Sequence, residues 1–183
     1  MQPFGTRLCE QILNLCGIGL LLIALVIGLG VLMHLMGWSQ LLEFDASYTL
    51  IGRSITFNTL MGLQILLFTY AMMVAAAPVL WLDRHVRVDV LHARLPARGR
   101  LIIDLIGHLF FGIPFLVLLL LPAYRFAERA YMTGERSTDG GLIDIYIIKA
   151  ALPIGMTLFL AVLILLTARH TWCLMTGRRS HAA

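Results

Sequence analysis

Charge is scarce in this chain: Asp, Glu, Lys and Arg make up 13% of its 183 residues, against 60% that are hydrophobic. So little charged surface cannot enclose that much apolar side chain in a water-soluble ball, which excludes a soluble domain. Acidic residues are missing from three of the four long apolar runs, and a self-contained proton-driven exporter would be expected to bury one there. Cysteine is limited to Cys9, Cys16 and Cys173. The first two are too far apart for the C-x-x-C of a redox pair, so a disulfide-handling membrane enzyme loses its main requirement. No phosphate loop, zinc-ligand spacing or nucleophile elbow is present, and there is no internal repeat, low-complexity tract or soluble domain.

What fills the chain instead is four runs free of strong charge, at about 13–36, 59–82, 101–123 and 145–167. At roughly 1.5 Å per residue each reaches about 35 Å, enough to cross a hydrocarbon layer of about 30 Å with some tilt. Because lipid offers backbone polar groups no partner, each run is expected to be a helix. The fold class is therefore an all-α integral membrane protein of four transmembrane helices, with 1–183 as one membrane domain. The first run is longer than the roughly 7 to 15 apolar residues of a secretory signal and lacks a small-x-small cleavage site, so it is expected to be retained.

Orientation follows from the basic residues of the connections. With Lys149 set aside, an inward amino terminus places nine arginines on the inner side and four on the outer side. Both termini are expected to be cytoplasmic, which also puts the three cysteines at or near a compartment that keeps thiols reduced. The formal net charge of +4 expresses this asymmetry and attraction to anionic lipid headgroups, so no nucleic-acid partner is required.

The first outer connection, 37–58, carries Leu41, Phe44, Tyr48, Ile51 and Ile55 at gaps of three and four, the spacing of one helical stripe. Together with Trp38 and Tyr48, which favour headgroup depth, this predicts a short helix lying on the outer membrane surface. The second, 125–144, holds Thr133-Gly134-Glu135-Arg136-Ser137-Thr138-Asp139-Gly140-Gly141, a polar, turn-rich stretch expected to be an exposed loop. Residues 124–132 are expected to prolong the third helix. Small residues four apart mark candidate helix contacts: Ala24 with Gly28, Ala71 with Ala75, and Ala151 with Gly155. Pro78, Pro114, Pro122 and Pro153 are candidates to bend or end their helices.

Two polar features interrupt the apolar runs. Asp104 and His108 stand four apart on the third helix, open to reading as a proton or cation relay or as a structural pair facing another helix. Lys149 lies just inside the fourth run, where it either snorkels outward or pairs with Asp144 or with an acid of another subunit. A haem-bearing subunit would want histidines facing one another at matching depth. Only His108 lies well inside a span; His34 is near the end of the first, and His85, His92, His170 and His181 fall in connections or the tail. Read from its residues alone, the chain is a subunit of something larger.

The inner connection sharpens that reading. Leu82-Asp83-Arg84-His85-Val86-Arg87-Val88-Asp89-Val90-Leu91, followed by Leu95-Pro96-Ala97-Arg98-Gly99-Arg100, resembles the small membrane subunit, the DctQ type, of tripartite ATP-independent periplasmic (TRAP) transporters. Those subunits carry an H-[IV]-R-V-D element and a short arm ending in L-P before helix three. The likeness extends to Asp104, to Gly134-Glu135-x-Ser137 and to Lys149-Ala150-x-Leu152-Pro153-Ile154-Gly155. Where many relatives enter helix two through a W-x-E-E-like element, this chain has Thr59-Leu60-Met61-Gly62-Leu63-Gln64, the mark of a divergent branch.

The resemblance implies a small permease of the bacterial inner membrane, not an enzyme. Its partners would be a large membrane subunit, a periplasmic solute receptor and membrane lipids. It implies sodium-coupled uptake of an organic acid, with sodium bound on the large subunit and no cofactor on this chain. Arg84, His85, Arg87, Asp89, Asp104, Glu135, Ser137 and Lys149 become candidates for contact with partner or lipid, with Asp89 capping the arm before Pro96. Two rival classes are a membrane anchor of a respiratory enzyme, with or without haem, and a self-sufficient homo-oligomeric transporter or channel.

Overall fold

A computed structural model describes residues 4–85 and 95–176. Four long helical rods dominate it: α1 (Phe4–Leu35), α2 (Phe57–Trp81), a third rod built of α3 (Ala97–Ile106), a π-helical turn (Gly107–Gly112) and α4 (Ile113–Met132), and α5 (Tyr146–Thr176). All four are long and apolar enough to cross a membrane, with mean hydropathy between 1.9 and 2.8 in their most apolar stretches. The rods overrun the apolar runs read from sequence; α4 continues to Met132, as expected for 124–132, and α5 continues to Thr176. Hydropathy marks the greasy middle of a rod, whereas the helix itself runs on until turn chemistry such as Thr133-Gly134 stops it.

The predicted surface helix in 37–58 is not there. The segment forms an antiparallel hairpin, β1 (Gln40–Tyr48) and β2 (Gly52–Thr56), paired through Leu42 with Ile55, Glu43 with Ser54 and Tyr48 with Gly52. The three-four spacing that suggested a helix is broken where it matters. Leu50 and Gly52 both take φ of +76°, a left-handed pair that turns the chain, and a helix cannot pass through it. Ser54-Ile55-Thr56 then favours extended backbone, and Thr56 caps α2 by accepting a hydrogen bond from the Thr59 N–H at 3.2 Å.

The rods do not close into a square bundle. Their main contacts run α1 to α2, α2 to α5, and α5 to α4, so the helices stand in a row with α5 between α2 and the third rod. Leu80 of α2, Leu116 of α4, and Leu163 and Leu166 of α5 form the buried cluster in the middle of that row. Close approach of α2 to α5 rests on Gly155, where an added Cβ would lie 2.5 Å from the Met73 Cβ, and on Ala151, which is buried. The Ala151–Gly155 pair is therefore a true contact, while Gly28 has nothing within 4 Å. A row leaves broad sides uncovered, and Phe110, Phe111, Phe115 and Leu118 of the third rod are all exposed.

None of the four prolines ends its helix. Pro78, Pro122 and Pro153 lie inside α2, α4 and α5, and Pro114 opens α4. Proline lacks an N–H, and in regular α geometry its ring would collide with the carbonyl four residues back, here Phe110. The backbone widens at that point into the π turn, in which the Ile113 N–H reaches the His108 carbonyl five residues earlier.

Candidate functional site

The candidate residues fall at opposite ends of the row, here called the hairpin end and the arginine end. At the hairpin end, the loop between α4 and α5 folds back over the start of α2. Asn58 Nδ2 donates to the Asp139 carbonyl at 2.6 Å, Thr59 Oγ1 donates to the Gly141 carbonyl at 3.2 Å, and the Ile143 N–H reaches the Leu50 carbonyl at 3.0 Å. Leu142, almost fully buried, sits over Gly62, whose missing side chain makes the space. The loop thus ties the hairpin, α2 and α5 together.

Three sequence-predicted residues share this clasp. Lys149 Nζ donates to Glu135 Oε2 at 2.6 Å and lies 4.3 Å above the Phe126 ring. The expected alternatives of outward snorkelling or pairing with Asp144 give way to Glu135, because the loop carries its N–H to Ala130 and its carbonyl to the Ile145 N–H, both at 3.1 Å. That backbone pinning aims Glu135 at the first turn of α5. Ser137 holds the loop's inner turn: its N–H reaches the Leu142 carbonyl at 2.9 Å and its carbonyl accepts from Gly140 at 3.2 Å. Beside the clasp, α4 and α5 frame an open apolar groove of about 700 Å³, bordered by Tyr124, Glu128, Tyr131, Tyr146, Pro153 and Leu158. Tyrosines at a rod's end over an apolar floor match the habit of such residues at headgroup depth.

At the arginine end, Arg84 and His85 follow the last turn of α2, and the His85 ring meets Phe159 of α5 at 6.1 Å. Arg87 and Asp89 lie outside the described residues. Asp104 stands near the base of the third rod, half-buried. The relevant juxtaposition is one the apolar runs concealed: His170 belongs to α5 and stacks on His108 of the π turn, with ring centroids 5.7 Å apart and planes within 16°. Placing His170 in a tail was wrong because the fourth apolar run stops near 167 while the helix does not. The signal available was the lack of any Gly or Pro between Gly155 and Thr176. The two rings lie near-parallel across the gap between the third rod and α5, a pairing at matching depth that the sequence reading did not place.

The two ends are separated by the 21-residue rise from Lys149 to His170 along α5, about 31 Å at 1.5 Å per residue. They cannot form one chemical centre. The arrangement is that of four membrane-length rods with a pinned loop at one end and a charged, histidine-bearing base at the other.

Comparison with known families decides between the readings. The family model described as "Tripartite ATP-independent periplasmic transporters, DctQ component" matches residues 46–174, more than half of the chain. The chain belongs to this family. A DctQ component is one part of a multi-component transporter, and the hairpin's second half, α2, the third rod and nearly all of α5 fall within the matched residues. It is a multi-pass membrane component of a transport complex, which leaves the respiratory-anchor reading without support. Comparison with curated proteins and with solved structures found no match.

Proposed function

We propose that this DctQ component is the small permease subunit that braces the large membrane subunit of its transporter. The large subunit carries out sodium-coupled uptake of an organic acid delivered by a periplasmic receptor. The observation that carries this reading is the open row: four spanning rods that bury little against one another and leave apolar sides free for a larger helical partner. Lipid is as apolar as leucine, so such a partner is held by packing and a few polar contacts, and a flat array offers more of both than a closed bundle.

In this reading 1–183 act as one membrane domain in the bacterial inner membrane with both termini cytoplasmic. Nine arginines then flank the inner side against four outside. The hairpin and the clasp face the periplasm, where the receptor arrives, and the arginine end meets anionic headgroups. Sodium and solute bind next door, and this chain holds no cofactor. Arg84, His85, Arg87, Asp89 and Asp104 serve the inner contact with partner or lipid, and Glu135, Ser137 and Lys149 hold the outer surface in shape.

Co-expression with the neighbouring large subunit, followed by purification and reconstitution, tests this. The two membrane chains should copurify, and uptake in vesicles should require both of them, the receptor and an inward sodium gradient. Replacing Arg87 and Asp89 together should lower complex yield and uptake in proportion. Accumulation of solute by vesicles containing this chain alone would refute the proposal.

A further inference from the structure

The third rod and α5 meet along a seam that is closed in its middle and open at both ends. At the hairpin end it widens into the groove of about 700 Å³ beside the clasp, which runs on α5 from Tyr146 to Leu158, about 18 Å of helix. At the arginine end a second groove of about 460 Å³ runs from Ile164 to Met175, about 16 Å. Both lie on one stripe of α5: Tyr146, Ala150, Pro153 and Thr157 stand at gaps of four, three and four, and Ile164, Ala168, Thr171 and Met175 repeat that spacing two turns on. Between the grooves Leu116 and Leu163 fill the seam, with Met156 and Leu160 packed against them. One leaflet contributes about half of a 30 Å hydrocarbon core, so each groove has the length of a leaflet. A helix laid in the seam would need an unbroken channel across the whole core, whereas two half-length grooves suit acyl chains entering from opposite sides.

The groove at the hairpin end is polar at its mouth and apolar below. Tyr131 and Tyr146 cross edge to face at 5.1 Å at the mouth, at the rod ends where such rings favour headgroup depth. Deeper in, the wall is Ala150, Pro153, Ile154 and Leu158, and the Thr157 hydroxyl is already committed, donating to the Pro153 carbonyl at 2.6 Å. Of the described residues that line the groove, Glu128 alone is charged. It is exposed, and while Lys149 holds Glu135, no ion pair among the described residues engages Glu128. Exposed Arg125 and Arg129 flank it along α4. We propose that this groove binds a zwitterionic phospholipid from the leaflet at the hairpin end. One acyl chain lies along Ala150, Pro153 and Leu158, the headgroup ammonium donates to the Glu128 carboxylate, and the phosphate turns toward Arg125 and the tyrosine hydroxyls. Charge complementarity makes the selection. An ammonium forms a charge-assisted hydrogen bond with Glu128, whereas an anionic headgroup offers Arg125 a phosphate and Glu128 nothing.

The test uses the full chain in vesicles of mixed phosphatidylethanolamine and phosphatidylglycerol, with a trace of one or the other carrying a photoreactive diazirine on its acyl chain. After illumination the adducts are mapped by mass spectrometry. Labelling should concentrate on residues 124–132 and 146–158, and the ethanolamine probe should label them about fivefold more than the glycerol probe, the usual scale for one partly exposed charge contact. Glu128→Gln should bring that ratio close to one. Ala150→Trp, which plugs the groove, should remove labelling there by both probes and leave labelling elsewhere unchanged. Equal labelling of the groove by the two probes overturns the site, as does labelling spread evenly around the rods or a ratio that survives Glu128→Gln. Should Ala150→Trp fail to fold, the unaltered chain and the exposed Glu128→Gln variant decide. Groove adducts that persist when the large subunit is co-reconstituted support the lipid; their loss gives the groove to a protein helix and overturns the proposal. The site rests on the spanning rods and not on the transport reading, because the readout is labelling rather than uptake.

Discussion

Lys149 and Glu135 meet at 2.6 Å, with the ammonium held above the Phe126 ring, so an ion pair and an aromatic face act on one cation at the first turn of α5. The Lys149 side chain is 19% exposed and that of Glu135 is 42% exposed, so the two partners should respond unequally to removal. Glu135→Gln leaves the cation on its ring and should cost about 1 kcal/mol or less, the usual worth of a partly exposed pair. Lys149→Ala removes both contacts and should cost about 1 to 2 kcal/mol. Thermal unfolding in detergent at low and high salt checks this; equal losses would show that the ring contributes nothing.

Gly155 permits α2 and α5 to touch backbone to backbone. Gly155→Leu should separate them and sharply lower the yield of folded protein, because the new side chain meets the Met73 main chain, which cannot yield as a flexible side chain would. Gly28→Leu, which meets nothing within 4 Å, should leave the yield unchanged. Size-exclusion profiles of the two variants make the comparison.

The clasp depends on Gly141, where a Cβ would collide with the Asn58 carbonyl, and on buried Thr59. Thr59→Val keeps the shape but removes the hydroxyl that donates to Gly141, and should cost about 1 to 3 kcal/mol by stranding its buried partner. Gly141→Ala should be worse. In both variants amide exchange of residues 133–145 should quicken while the middle of α5 stays protected.

Hairpin and surface helix give different exchange patterns in a bilayer. In 40–56 only amides facing the opposite strand should be protected, alternating along β1, with faster exchange around Leu50. Uniform protection at helical registry would contradict the hairpin.

Most of this architecture was open to reading from residues alone, because membrane helices announce themselves through length and apolar content. Four rods, the extension to Met132, the largely exposed loop at 133–140 and the Ala151–Gly155 contact follow from local patterns, whereas the burial of Gly141 against α2 does not. What failed was local ambiguity: Leu41, Phe44, Tyr48, Ile51 and Ile55 satisfy a helical stripe, and the positive φ at Leu50, a residue that rarely adopts it, together with that at Gly52 turns the chain. The candidate residues were legible singly but not in their pairings. Glu135 reaches Lys149 because a loop returns it, and His170 reaches His108 because a proline widens the opposing rod by one residue. Both depend on distances between segments, which periodicity does not record.

The order of rods in space differs from their order along the chain, and this bears on how the protein is made. As the ribosome releases the polypeptide, α1 and α2 can pair at once, but the third rod has no substantial neighbour among the segments already inserted. Only when α5 emerges last and slots between α2 and α4 do the two halves join. Biogenesis therefore ends with the keystone: a nascent chain stalled before Tyr146 would hold two halves joined by the chain between them but not packed on one another, open to the proteases that clear unfinished membrane proteins.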